Sequence, residues 1–400
     1  MKMSLKNNIN RLSIGGKIGF VVIVGILFST YPYVFNLILP LPSITILMLV
    51  SFVLFVCAAM MGVVKPYSKL LPLCMVQVFG TLVSLAQSSD TEYFKQVTYI
   101  IWGFFMISFI NCLGVKRFLF YYDRMILGIA LLGVISSVLT LLFGEHVIMT
   151  FREMDGRTGA LVYGTFTNIF GNGFIRFAGI FDEPGAMAFW GMFVLVFNKI
   201  YVKDKVIEVP LIICLLFTFS LAFIIQVFLY LLFYYLMQTT IKVKVLATFL
   251  ATFLVFGAYL LMDKDSPIYF LTFGRLGIGT SYDMMHDSSR AILTEMAQKT
   301  FLSNPMFGIG PTRFYMGQYM ADNPYETLAK DGIIGSFFIY LPMFIAFIRG
   351  YLNKNILYAA FILSVGYLQR PFHINIQHYT MLFIFLIITW KLTAIKSLKQ

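Results

Sequence analysis

Arg176 stands shortly ahead of Asp182-Glu183-Pro184-Gly185. An arginine presents a planar fork that pairs bidentately with phosphate or carboxylate. Pro184 suits the first position of a helix, with Asp182 or Glu183 as its cap. A helix N-terminus beside an arginine is an anion site. The plainer reading is an acidic cap on an apolar helix. A second group follows at His286-Asp287-Ser-Ser-Arg290 and at Asp322-Asn323-Pro324-Tyr325-Glu326. Asn323 with Glu326 fits a capping box around Pro324. That box does not need Asp322, which makes Asp322 the acid with a carboxylate to spare. Between these segments Asn304-Pro305…Gly308-Ile-Gly310-Pro311 reads as a tight turn. His286 is a base or a headgroup-level residue. A third group, Gln369-Arg370-Pro-Phe-His373-Ile-Asn375-Ile-Gln377-His378, packs Arg370 and two histidines into one short stretch. It faces a cavity or anchors at an interface. No ATP-binding loop, zinc spacing or ordered Ser-His-Asp set occurs. Any reaction therefore draws on an activated substrate or an ion gradient.

The elements that must carry these residues are apolar. The chain has 59% hydrophobic and 12% charged residues and a mean hydropathy of +0.84. Soluble domains carry roughly twice that charged fraction. A soluble enzyme and a nucleic-acid-binding protein are both excluded, despite the net charge of +12. The pattern predicts an all-α polytopic membrane protein, a single membrane-embedded domain over 1–400. Spans are expected near 18–39, 43–64, 70–87, 97–114, 125–144, 184–198, 243–262, 333–349, 355–371 and 376–394. Val209–Met237 is long for one helix and short for two. Cytoplasmic loops collect Lys and Arg, and only a double crossing that breaks near Thr218–Ser220 returns every basic cluster to one side. This gives about 12 transmembrane helices, both termini cytoplasmic, and outer loops at 145–183 and, largest, 263–331. The inner side then holds 19 Lys/Arg and 3 Asp/Glu, and the outer side 11 and 15, so the basic excess is a topology signal. The outer cations are mostly arginine: Arg152, Arg157, Arg176, Arg275, Arg290, Arg313 and Arg370. Cys57, Cys74, Cys112 and Cys214 all lie in apolar runs and read as small buried hydrophobes.

Taken together, these features resemble the O-antigen polymerase (Wzy) family, which is related to the O-antigen ligases. The resemblance rests on the many spans, on Arg176…Gly179…Asp182-Glu183-Pro184-Gly185, on Asn304-Pro305…Gly308-Ile-Gly310, and on Asn323-Pro-Tyr-Glu326…Gly332-Ile-Ile-Gly335. It implies a glycosyltransferase that needs no nucleotide sugar, cofactor or metal. Such an enzyme joins oligosaccharide repeats carried on undecaprenyl diphosphate at the outer face of the bacterial inner membrane. A chain-length regulator protein is the implied partner, with membrane lipid around the chain. Relatives often carry Ser-Arg at the break between short spans; here Leu221 follows Ser220. The ligases place His beside the Asn of the second motif; here Asp322 stands there. Glycosyl transfer needs a grip on the departing diphosphate and a base for the attacking hydroxyl. Arg176 and Arg290, with Arg370 as a third clamp, are expected to converge on the diphosphate. Asp322 is the first choice of base, with Glu183 and His286 as alternatives. Tyr315 and Tyr325 are candidates to stack on sugars. The competing functions are an O-antigen ligase, and a transporter or flippase of lipid-linked sugars.

Overall fold

Long runs of Leu, Ile, Val and Phe lacking helix-breaking residues close their backbone hydrogen bonds internally, and the computed structural model is accordingly helical. It describes residues 13–30, 33–38, 66–152, 157–264 (except 169 and 172), 289–317, 323–369 and 375–397, with a few isolated positions between them. The main helices are α1 (Ile14–Leu27), α2 (Leu71–Ser88), α3 (Tyr93–Leu113), α4 (Val115–Phe143), α5 (Pro184–Phe197), α6 (Lys205–Leu216), α7 (Leu221–Tyr234), α8 (Ile241–Leu261), α9 (Ser289–Ser303), α10 (Pro311–Gly317), α11 (Glu326–Ile339), α12 (Leu341–Gly350), α13 (Lys354–Gln369) and α14 (Ile376–Ser397).

Six helices among the described residues are long and apolar enough to cross a membrane, or seven when α11 and α12, bent by 49°, count as one span. A hydrocarbon core of about 30 Å takes roughly 20 helical residues. Two further apolar helices over expected spans, α1 and α13, are shorter, and the expected span 43–64 lies almost wholly outside the described residues. Large side chains point outward along the long helices, among them Phe79, Leu132 and Leu142. Water would disfavour such a surface, and acyl chains suit it. Every residue of α5 is buried, and α14 is buried along most of its length. These two form the centre of the bundle. Of the cysteines, Cys74 and Cys214 are buried as expected, whereas Cys112 is exposed at the end of α3.

The segment 145–183, read from sequence as a loop, holds a small antiparallel sheet. Its strands are β1 (Val147–Arg152), β2 (Thr158–Val162) and β3 (Thr165–Thr167), in that order. Thr150 faces Ala160, and Leu161 faces Phe166. The next chain segment adds to the edge through Phe166 and Gly179. The stretch 263–331, read as one large loop, contains α9, α10 and the start of α11. Both departures have one cause. These stretches carry enough Val, Phe, Leu and Ile to bury a face, so their backbones pair rather than stay solvated.

Besides the bend between α11 and α12, two interruptions stand out among the described residues. The first break falls between α6 and α7 at residues 217–220, where the sequence places a break. Phe219 there adopts φ +48°. The second lies inside α11, where Gly332 has φ +65° and ψ −173°.

Candidate functional site

Arg176 lies in the segment that runs from β3 to α5, and its main chain is fixed before its side chain acts. The Thr167 hydroxyl donates to the Arg176 carbonyl at 2.7 Å, and Ala178 N–H donates to Phe166 O at 2.7 Å. The buried guanidinium then reaches the first helix break. Its Nε donates to Thr218 O at 2.8 Å and its Nη2 to Phe219 O at 3.0 Å. Both carbonyls lie past Leu216, the last residue of α6, and unsatisfied in hydrocarbon each would cost several kcal/mol. A cation there also complements the negative end of the α6 dipole.

Close in sequence, Glu183 is the extended cap residue of α5 and Pro184 is the first helical residue, as the sequence indicates. Asp182 and Glu183 are both buried. Arg157 approaches Glu183 to 4.0 Å from a half-exposed position. A carboxylate at the cap sits on the positive end of the α5 dipole.

A second polar centre forms where α10 meets α11. Lys330 is fully buried and donates to the Tyr315 hydroxyl at 3.2 Å. Tyr315 donates to Glu326 Oε1 at 3.2 Å, and Lys330 Nζ lies 3.7 Å from the same oxygen. A buried ion pair needs such added hydrogen bonds to offset its desolvation. Asp331 is also fully buried, close to Ser84 across Gly335.

Loop 304–310 closes the second helix break. Ile309 N–H donates to Ala329 O at 3.0 Å and Gly310 N–H to Lys330 O at 2.9 Å. In return Ile333 N–H donates to Pro305 O at 2.9 Å and Ile334 N–H to Met306 O at 3.1 Å. Gly308 and Gly332 make this contact possible. A Cβ at Gly308 would lie 2.3 Å from Lys330 O, and one at Gly332 would lie 2.4 Å from the Met306 main chain. Asp90 completes the joint by accepting from both Thr312 N–H and Thr312 Oγ1 at 2.6 Å, which caps α10 from another element.

The two centres share one end of the bundle. Tyr33 stacks on Phe181 at 4.7 Å and donates to Gln377, so the approach to α5 lies beside the start of α14. From the other side Tyr340 packs on Tyr367 at 5.2 Å, and the Tyr367 hydroxyl lies 3.0 Å from His378 Nδ1. His378 N–H donates to Asn375 Oδ1 at 2.6 Å, so Asn375 caps α14. The third polar group of the sequence is thus partly a helix cap and partly a buried ring cluster.

Of the residues expected to do chemistry, Arg176, Glu183, Tyr315 and Tyr325 are described. Asp322, His286 and Arg370 lie outside the described residues, and Arg290 is placed on α9 by its backbone alone. The expected meeting of Arg176 with Arg290, and the aim of Asp322, therefore fall outside as well. The capping box at Asn323 takes another form. Asn323 Oδ1 accepts Tyr325 N–H at 2.9 Å, α11 starts at Glu326, and the Glu326 carboxylate engages Tyr315 and Lys330. Tyr325 packs on Phe301 with centroids 6.3 Å apart. Sequence reasoning gave no role to Arg157, Lys330 or Asp90. Arg157 belonged to the outer arginine set, and Lys330-Asp331 stood before Gly332 as a charged pair entering an apolar run. Asp90 left no local signal.

Fold and composition define the class: a helical, polytopic chain with membrane-length apolar helices and a polar end. No protein family and no curated protein matches the sequence.

Proposed function

We propose that this protein is a glycosyltransferase that polymerises oligosaccharide repeat units carried on undecaprenyl diphosphate into O-antigen or a similar surface polysaccharide. In this reading the chain crosses the bacterial inner membrane about twelve times, with both termini cytoplasmic. The polar end of the bundle, with the stretch 263–331, faces outward, and a chain-length regulator protein is a partner. The observation that supports it is the buried Arg176 cation at an interrupted helix, close in sequence to the start of α5, where Glu183 is the cap residue. A departing lipid diphosphate needs fixed positive charge in a site shielded from water. Arg176 supplies it, Arg157 brings a second guanidinium by way of Glu183, and Arg290 and Arg370 complete the grip. Asp322, Glu183 or His286 is the base, and Tyr315 and Tyr325 contact sugars.

A second reading is a transporter of lipid-linked sugars. The two interrupted helices favour it, because broken helices line binding sites in many transporters. The ligase reading is weaker, since Asp322 occupies the position of the ligase histidine. The carbohydrate of a deletion strain separates the three. Loss of a polymerase leaves lipid A–core capped with a single repeat, and loss of a ligase leaves it bare. A missing transporter makes precursor accumulate on the cytoplasmic side. Either of the last two outcomes refutes the proposal.

A further inference from the structure

We infer that Tyr315 is a catalytic proton-transfer residue, and that Glu326 receives its proton. The inference rests on the glycosyltransferase reading and deepens it, with Tyr315 taking the place of Asp322, Glu183 or His286 as the group that receives the hydroxyl proton. Three observations carry it. First, the Tyr315 side chain is at the surface, 39% exposed, while Glu326 and Lys330 are buried at 5% and 0%. The phenol is the point at which a buried acid and a buried ammonium meet an incoming molecule. Second, the hydrogen bonds run in one direction, from Lys330 Nζ to the Tyr315 oxygen and from the Tyr315 hydroxyl to Glu326 Oε1, each 3.2 Å. A cation donating to the phenol oxygen stabilises negative charge there, while the carboxylate accepts the phenol proton. A nucleophile or base ordered by a third group has this triad form. Third, the phenol is held on a fixed element. Asp90 clamps the start of α10 through Thr312, Gly310 N–H is tied to Lys330 O, and Phe314 is fully buried next to Tyr315. A reacting group needs such support to hold its geometry.

In the step, the oxygen of the acceptor sugar hydroxyl forms a bond to the anomeric carbon of the donor. The bond from that carbon to the diphosphate oxygen breaks, and its electron pair leaves with the lipid diphosphate. The hydroxyl proton passes to the Tyr315 oxygen as the Tyr315 proton passes to Glu326. Lys330 steadies the charge on the phenol oxygen, and Glu326 later yields the proton to water. Tyr315 touches the reacting atoms, while Glu326 and Lys330 are positioning residues that act through it.

The test uses the full-length protein in liposomes with a defined undecaprenyl-diphosphate oligosaccharide, and compares wild type with Tyr315→Phe, Glu326→Gln and Asp322→Asn. Thermal unfolding and binding of the oligosaccharide lipid check that each variant is folded. Tyr315→Phe is expected to lower kcat by roughly 10²–10⁴-fold with little change in KM, the signature of an interaction made in the transition state. Glu326→Gln is expected to lower kcat in the same way and to abolish any solvent isotope effect on it. A wild-type kcat in Tyr315→Phe overturns the inference, as does a rise in KM alone, which would make Tyr315 a sugar platform. Loss of kcat in Asp322→Asn with both other variants active moves the base to Asp322. If wild type itself makes no polymer, the functional reading falls and takes this inference with it.

Discussion

The two helix interruptions solve one physical problem by different means. At 217–220 a single side chain from a distant segment satisfies the exposed carbonyls, and it brings a positive charge with it. At Gly332 the backbone of loop 304–310 does the work through reciprocal main-chain hydrogen bonds, and glycines allow the approach. The first break therefore carries a buried positive charge and depends on one residue type. The second is a joint whose requirement is the absence of side chains, and it positions charged residues on its two sides.

This contrast can be broken by substitution. Gly332→Ala should have the largest effect, with Gly308→Ala close behind. Each forces a residue into a backbone region that glycine tolerates, and each drives a Cβ to within 2.4 Å of main-chain atoms. A loss of about 3–5 kcal/mol is expected in detergent unfolding. Ordinary stability in both variants would mean that the joint is not closed in the protein. Arg176→Met comes next. It uncovers two carbonyls of the first break, and unsatisfied buried acceptors cost about 1–3 kcal/mol each. Arg176→Lys should recover part of this loss, because an ammonium replaces the charge but not the fork. Thr312→Val removes one bond to Asp90 while keeping the shape, and a loss of about 1 kcal/mol is expected, comparable to a helix cap.

The smallest effect is expected at an exposed ion pair on α9. Exposed Lys299 lies 2.7 Å from Glu295 and holds its carboxyl below the usual glutamate range by hydrogen bonding and charge. Lys299→Ala should raise the Glu295 titration back toward that range in NMR. Glu295 favours the folded state above its ordinary pKa, and that contribution fades as pH falls through the lowered value. Exposure and salt keep it small, so the unfolding midpoint at neutral pH should not move measurably.

Legibility followed the range of the interaction. The break at 217–220 could be read because placing every basic cluster on one side called for a double crossing broken there, which is a global constraint written in local charges. The start of α5 could be read because caps and proline act within a few residues. The partners of Arg176 could not, since main-chain carbonyls carry no residue signature and lie more than forty positions away. The interlock of Gly308 with Gly332 was hidden for the same reason, although both glycine motifs were visible. The sheet in 147–167 was obscured by its glycines, which read as loop signals. The local pattern at Asn323 and Glu326 suggested a closed capping box. It concealed the reach of Glu326 to Tyr315, which becomes visible only when α10 folds back, and drew attention away from Lys330, although Glu326 and Lys330 have the local i, i+4 spacing.

The central claim is that the break at 217–220, held by Arg176, serves a lipid diphosphate. The most direct measurement is the polymer ladder made by Arg176→Lys, in liposomes with the oligosaccharide lipid, at matched amounts of folded protein. The account predicts folded protein that makes no long chains, because one ammonium cannot both hold the break and fork the diphosphate. Long chains of normal length and yield would contradict it.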